Sequence, residues 1–365
     1  MRVIVSTCGT SVLTHQTPDE FRTLLNRLSN RQQDELGEHL SAVEAHIAQR
    51  RDQMRTADIE TARKMSAELN GILGVYGGTL PPEARSDRHL LVASDTYLGN
   101  TCARIVADWL TANGIPDVQV CVIKNLVTDS LETFRFGVQE LVQWCEETLP
   151  GHRKTYRIIF NLTGGFKGVQ GVMNTLAHAY ADEIVYIFET GRDLLRIPTL
   201  PLNWDPVAIA RAHLPALRRL ALGIADSSDI AGLPEVLVLA EKDDAGLSLV
   251  GEMVWQKAAP VLYAERLLDP PSPRIRYSPR FERQVADVIE PDRRVRINRA
   301  IDALERWLAG HEPPKSFQVK PVEGKHPTLP QVTHECYAWS DRDAKRIFFS
   351  LDNGAIVLED LGQHL

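Results

Sequence analysis

A glycine-rich turn that ends in a lysine is the stretch of this sequence whose residue types most clearly suggest chemistry. Residues Asn161–Lys167 read Asn-Leu-Thr-Gly-Gly-Phe-Lys, between a strand-like run at Tyr156–Phe160 and helical spacing at Gly168–His178. A strand, a glycine-rich turn and a helix N-terminus together form the place where α/β proteins bind phosphate. Glycine lets the backbone approach an anion, Thr163 offers a hydroxyl and Lys167 a positive charge. We therefore predict a site for a phosphate-bearing ligand.

The turn differs from the Walker P-loop of ATP-binding proteins. That motif has four residues between its glycines and a Ser or Thr after its lysine. Here the two glycines are adjacent, and Lys167 is followed by Gly168. The predicted ligand is therefore not ATP with magnesium. The alternative is a tight strand-to-helix turn with a solvated lysine.

Two other polar turns follow predicted strands. Thr7–Ser11 comes after the strand Arg2–Ser6, and Ser94–Thr96 comes after the strand Leu90–Ala93. Because ligands of open α/β sheets bind outside the carboxyl ends of the strands, the three turns could line one crevice. Each turn alone could instead be an ordinary helix cap, since Ser, Thr and Asp are favoured there.

The turns at residues 9–11 and 161–167 resemble those of the CARF domain, a CRISPR-associated Rossmann-like sensor, over roughly residues 1 to 200. The resemblance implies a homodimer that binds a cyclic oligoadenylate, cyclic tetra-adenylate being favoured as allosteric activator, with no other cofactor. It also implies a set of ligand-binding residues near these turns. They are Gly9, Thr10, Ser11, Asp95, Thr96, Thr163, Gly164, Gly165, Phe166 and Lys167.

The charge is uneven along the 365 residues, which suffice for two or three domains. The formal net charge is −7, so the whole chain is not expected to bind nucleic acid through a general positive field. From Pro270 onward the sequence has 15 Lys and Arg residues and 14 Asp and Glu residues. Nine arginines lie in the segment from Arg274 to Arg306. The C-terminal part could therefore present a positive stripe to RNA, or these arginines could line solvated helix faces.

The cysteine pattern predicts a reducing compartment. Five scattered cysteines contain no Cys-x-x-Cys pair, which argues against a disulfide framework or a zinc site. The sequence also shows no signal-peptide pattern and no apolar stretch of about 18 residues. We expect a cytoplasmic protein with no membrane partner.

The order of predicted elements indicates an α/β protein with three domains. Alternating strands and helices over residues 1–205 predict a Rossmann-like sensor domain with a mainly parallel sheet and a helical insertion at about residues 20–75. Residues 206–270 predict a small linker domain, winged-helix-like, with helices at Ala208–Leu222 and Ile230–Leu239. The proline-rich segment Asp269–Pro273 predicts the boundary to a third domain over residues 271–365.

The C-terminal domain is predicted as a strand, two helices and a small antiparallel sheet. The strand is Arg274–Tyr277, one helix starts at Ser278, a second runs from about 292 to 308, and Asp352–Gly354 predicts a hairpin turn. This α+β order resembles the RelE-type toxin fold. The resembling segments are Tyr277–Phe281, Lys320–Gly324 and Lys345–Phe349.

The RelE resemblance implies a metal-independent ribonuclease that cuts messenger RNA on the ribosome and stabilises the charged intermediate with basic residues. His326 or His334 could serve in proton transfer. Arg346 is expected to have no role in folding. The candidate catalytic residues are Arg346, His364, Lys320, Lys325 and Arg342.

Three functional hypotheses follow. The leading one is an mRNA interferase of CRISPR antiviral defence, activated by cyclic oligoadenylate. The second is a ligand-controlled regulator with a non-catalytic C-terminal module that binds nucleic acid or protein. In the third, the sensor domain itself cleaves its cyclic ligand, with Ser11 and Lys167 positioning the 2′-OH and the phosphate.

Overall fold

The structure is a computed structural model in which the chain divides into two compact units, Met1–Asn203 and Trp204–Leu365. It describes residues 1–188, 191, 193–200, 204–241, 244–311, 317–322, 326–341, 343–352 and 354–363. The helices of these residues include none that is long and apolar enough to cross a membrane. The five cysteines are free and buried.

The first unit contains a six-stranded sheet in the order β3-β2-β1-β4-β5-β6. All neighbouring strands are parallel except β5 and β6, so the prediction of a mainly parallel sheet is confirmed. The antiparallel edge strand β6 was not predicted. The strands are β1 (Arg2–Thr7), β2 (Arg88–Ser94), β3 (Asp117–Ile123), β4 (Arg157–Asn161), β5 (Glu183–Ile187) and β6 (Leu194–Pro198).

Helices surround this sheet, and the predicted helical insertion is present between β1 and β2. The chain between β1 and β2 also contains two 3-10 segments, Gln33–His39 and Pro82–Ser86. Burial of Val3, Val5 and Phe160 places the central strands in the core, as expected where helices cover both faces of a parallel sheet. The helices are α1 (Ser11–Thr14), α2 (Asp19–Arg27), α3 (Leu40–Arg55), α4 (Ile59–Met65), α5 (Ala67–Val75), α6 (Tyr97–Ala112), α7 (Leu131–His152) and α8 (Lys167–Tyr180).

Helix α5 is the crossover helix that returns the chain from β1 to β2. Its first turn contacts the loop after β1, where Glu68 accepts a hydrogen bond from Gly9 N. Just beyond its last residue, the Tyr76 hydroxyl donates to Asp87, which directly precedes β2. Helix α5 therefore runs antiparallel to the strands, and its N-terminus lies at their carboxyl ends.

The second unit begins with helices and a short hairpin. The predicted helix Ala208–Leu222 is interrupted at His213, and the predicted helix Ile230–Leu239 is wrong. There the chain turns at Gly232, with φ +86°, forms a 3-10 turn at Glu235–Leu237, and enters a strand. The elements are α9 (Pro206–Ala212), α10 (Leu214–Leu222), α11 (Ser227–Ile230), β7 (Val238–Glu241), β8 (Asp244–Leu247) and α12 (Leu249–Glu265).

The second unit continues with a five-stranded sheet in the order β10-β11-β12-β13-β9. Strand β9 pairs in parallel with β13, and the other pairs are antiparallel. The predicted order of a strand, two helices and antiparallel strands is therefore present. The elements are β9 (Ile275–Tyr277), α13 (Pro279–Ala286), α14 (Pro291–Leu308), β10 (Lys320–Pro321), β11 (His334–Trp339), β12 (Lys345–Asp352) and β13 (Ala355–Gly362).

A buried ion pair joins the helical part of this unit to its sheet part. Arg218 of α10 donates from Nε to Asp302 of α14 at 2.8 Å, and the Tyr263 hydroxyl of α12 donates to the same carboxylate. Residues on both sides of the proline-rich segment at 269–273 are thus packed within one unit.

Candidate functional site

The sheet order places two of the predicted turns side by side. Strand β1 lies between β2 and β4, and the chain leaves β1 toward β2 but leaves β4 toward β5. Such a reversal opens a crevice at the carboxyl ends of the two strands, which is where open α/β sheets bind ligands. The loops Thr7–Ser11 and Asn161–Lys167 meet at this point. A Cβ built on Gly9 would lie 3.1 Å from Gly165 Cα.

Both glycines of the β4 turn are explained by close packing. Gly165 has φ +99°, and a Cβ there would lie 2.8 Å from Thr7 Cβ. A Cβ on Gly164 would lie 2.3 Å from Glu68 Oε1. The Thr7 hydroxyl donates to the carbonyl of Gly164, which ties the two loops together. The sequence predicted that an anion approaches this turn closely. In the structure that anion is the carboxylate of Glu68.

Glu68, which the sequence did not predict as part of the site, is bonded to the loop after β1. Its carboxylate accepts hydrogen bonds from Gly9 N at 2.8 Å, from Ser11 Oγ at 2.7 Å and from Ser66 Oγ at 2.7 Å. Glu68 is buried, with only 1% of its surface exposed. Two residues that the CARF resemblance assigns to ligand binding, Gly9 and Ser11, therefore donate to Glu68. No motif marks this residue, because its role depends on α5 crossing back to the crevice.

Helices α5, α6 and α8 begin at this edge of the sheet and differ in their capping. Helix α5 is capped by Ser66 Oγ, which accepts from Leu69 N, and by Ser11 Oγ, which accepts from Ala67 N. Helix α6 is capped by Thr96. Helix α8 has Phe166 at its N-cap position and no side-chain cap. Its first amide groups are therefore available to an anion.

Lys167 is the first residue of α8 and is exposed. Within the described part of the chain it takes part in no hydrogen bond or ion pair. A free ammonium group beside an uncapped helix N-terminus is the arrangement that binds a phosphate. The crevice can therefore hold an anion at α8.

The other predicted ligand-binding residues mainly stabilise the turns. Asp95 accepts from Asn125 N at 3.1 Å, and Thr96 is buried as the cap of α6. The Thr163 hydroxyl accepts from Ile187 N at 3.2 Å. Thr10 is the half-buried N-cap residue of α1 and lies beside Ser11. For Thr96, the structure shows the helix-cap alternative that its residue type also allowed.

A separate cleft of about 770 Å³ lies away from α8. Its walls are formed by the loop after α1 and by helices α3 and α4, with Arg50 donating to the carbonyls of Val12 and His15. It is lined by His15, Gln16, Thr17, Pro18, His46, Gln49, Arg50, Gln53, Thr56, Ala57, Asp58, Thr61, Lys64 and Met65. The predicted ligand-binding residues do not line it.

Residues 63–200 match the model of a family described as CRISPR-associated protein (Cas_APE2256). Over these residues the chain is similar to this CRISPR-associated family. The matched range includes Glu68 and the whole turn Asn161–Lys167, whereas the loop Gly9–Ser11 precedes it. The search of curated proteins found no match.

In the second unit, Arg346 is not the accessible group that the sequence predicted. It is 4% exposed, its Nη1 donates to Glu335 Oε1 at 2.5 Å, and its guanidinium lies 4.1 Å from the centre of the Tyr337 ring. Glu335 is also buried and pairs with Lys320 at 3.4 Å. The expectation that Arg346 has no folding role is therefore wrong, because it neutralises a buried carboxylate.

The structure brings two of the predicted catalytic residues together, since Arg346 and Lys320 share Glu335. Lys325, Arg342 and His364 lie outside the described residues.

The two histidines considered for proton transfer occupy different surroundings. His326 is buried, with Nε2 3.5 Å from Asp360 Oδ2 and its ring edge-on to Phe348. His334 stacks on Phe349, and burial lowers its pKa from the ordinary value. A neutral imidazole is suited to accept a proton. Neither histidine was assigned a definite role from the sequence.

Proposed function

We propose that the first unit is a CARF-type sensor that binds a cyclic oligoadenylate, with a phosphate of the ring seated at the N-terminus of α8. The observation that carries this proposal is the free Lys167 beside the uncapped first turn of α8, at the crevice between β1 and β4. The match of residues 63–200 to a CRISPR-associated family supports the same conclusion.

A cyclic oligoadenylate suits this site for chemical reasons. It carries repeating phosphates, and a two-fold homodimer supplies two copies of α8 and Lys167 to a symmetric ring. The four phosphates of cyclic tetra-adenylate can be shared equally between two such copies. A cation and helix amides on each copy can then hold one phosphate each.

We further propose that the second unit is the effector, a metal-independent ribonuclease that cleaves messenger RNA on the ribosome when the sensor binds its ring. The order of its strands and helices, and the basic residues on β10 and β12, support a RelE-type assignment. Lys320 is half-buried, and Arg346 shares Glu335 with it, so we assign Lys320 to substrate contact and Arg346 to positioning.

The experiment is a cleavage assay on translating ribosomes with the full-length protein, with and without each cyclic oligoadenylate. The proposal predicts cleavage that requires both ribosomes and one ring size. Equal cleavage without the ring would contradict ligand control, because activation requires that the ring prefer the active state. Specific binding to duplex DNA without cleavage would favour a regulator, and linear products from the ring would identify the sensor itself as a nuclease.

A further inference from the structure

We propose that Glu68 is an internal anion that occupies the phosphate-binding donors of the β1 loop in the free protein, and that a ligand phosphate displaces it. This inference rests on the proposed sensor function. It assigns a role to the helical insertion, because Glu68 lies in its last helix, α5.

The hydrogen bonds of Glu68 are those expected of an anion in its site. Gly9 N, Ser11 Oγ and Ser66 Oγ donate to its two carboxylate oxygens at 2.7 to 2.8 Å. The missing side chain of Gly164 makes room for Oε1, since a Cβ there would lie 2.3 Å away. A phosphate oxygen and a carboxylate oxygen accept the same bonds, so they compete for the same donors.

The charge balance makes Glu68 an exchangeable occupant. Among the described residues, no Lys, Arg or His forms an ion pair with it. Within the part of the chain that the structure describes, hydroxyl and amide donors and the N-terminus of α5 balance its negative charge. Burying a carboxylate without a cation is costly, and moving it into water recovers that cost. A phosphate in place of Glu68 would put its negative charge in the crevice that also holds Lys167.

Displacement of Glu68 would act on the first turn of α5. The first turn of α5 would lose the bonds of the Glu68 carboxylate to Gly9 and Ser11. The other end of α5 would keep its contact with the start of β2, because the Tyr76 hydroxyl donates to Asp87. Ligand binding would therefore loosen the N-terminus of α5 while tightening the β1 loop.

The first test is calorimetric titration of the full-length protein with cyclic tetra-adenylate. Glu68→Gln keeps the size and an acceptor oxygen but removes the charge, so affinity should rise about tenfold or more, since competing charge-assisted bonds are weakened. Glu38→Gln is the matched control, because it removes the same charge from an exposed position of the same insertion. Its affinity should equal that of the wild type. A folded Glu68→Gln protein with unchanged or weaker affinity would overturn the inference.

The second test needs no substitution and so does not depend on the variant folding. Hydrogen exchange of the amides of residues 67–69 in the wild-type protein should become faster when cyclic tetra-adenylate saturates it. Slower or unchanged exchange there would show that Glu68 stays in place and would overturn the inference alone. A wild-type protein that binds no cyclic oligoadenylate would overturn the proposed function and this inference with it.

Discussion

Gly9 and Gly165 bring the loops after β1 and β4 into backbone contact, with a Cβ on Gly9 reaching within 3.1 Å of Gly165 Cα. This contact forms the floor of the crevice where the sheet reverses its order. Side chains at either position would separate the loops, and with them the first turn of α8 and the first turn of α5.

Gly165→Ala should therefore destabilise the first unit. Its φ of +99° is unfavourable for alanine, and the new Cβ would lie 2.8 Å from Thr7 Cβ. We expect a loss of roughly 1–3 kcal/mol in the free energy of unfolding, measured with urea. Gly171→Ala in α8 is the control, because a Cβ there meets nothing within 4 Å. That change should stabilise by roughly 0.5–1 kcal/mol. Equal effects of the two substitutions would contradict the packing account.

Arg346→Ala should destabilise the second unit, contrary to the expectation from sequence. The substitution leaves Glu335 buried with only the partly exposed Lys320 nearby. Breaking a buried pair on one side typically costs about 3–5 kcal/mol. The double variant Arg346→Met with Glu335→Leu removes both charges and should recover most of this loss. Urea unfolding of the single and double variants measures the difference, and a fully stable Arg346→Ala protein would show that the pair is dispensable.

The buried His89 should make stability depend on pH. Burial lowers its pKa to about 4 from the ordinary 6.5, although Asp87 partly opposes this. The unfolded state therefore binds a proton more readily, so the contribution is complete above about pH 6.5 and is lost as the pH falls toward 4. The loss should approach roughly 3 kcal/mol. In the His89→Gln protein the midpoint of urea unfolding should change less between about pH 7 and pH 4.5 than in the wild type. An unchanged pH dependence of the midpoint would show that other groups cause the effect.

If the second unit is a RelE-like nuclease, its products should end in a 2′,3′-cyclic phosphate or a 3′-phosphate, because the RNA 2′-OH is the nucleophile. Cleavage should also persist in EDTA while the ribosomes stay intact. Mass spectrometry of the cleaved ends measures the first outcome. Products ending in 3′-OH would mean a different class of nuclease.

Local patterns predicted much of the fold. The parallel strands were recognisable as short apolar runs, and the Ser278 cap with Pro279 marked the start of α13. The failed helix at Ile230–Leu239 shows the limit, because its apolar residues belong to a turn and a hairpin strand rather than to one helix face. Strand β6 escaped notice because its residues are half-buried or exposed, so it lacks the buried apolar run that marks strands such as β1 and β4.

The site was predictable only where it is local in sequence. The turn at 161–167 follows its strand directly, so its place at the crevice could be inferred. Glu68 reaches Gly9 across 59 positions of chain, through helices whose path no motif specifies. Arg346 looked accessible because its partner Glu335 lies on another strand.

The most direct test of the central claim is calorimetric titration of Lys167→Ala with cyclic tetra-adenylate, beside Lys154→Ala as control. Lys154 is an exposed lysine before β4, at the opposite end of that strand, so both variants lose the same charge from the same unit. A charge-assisted bond contributes on the order of 1.5–3 kcal/mol, so the loss of both copies in the proposed homodimer should weaken binding by about a hundredfold or more. Lys154→Ala should bind like the wild type. Unchanged affinity in a folded Lys167→Ala protein would contradict the assignment of the ligand phosphate to the N-terminus of α8.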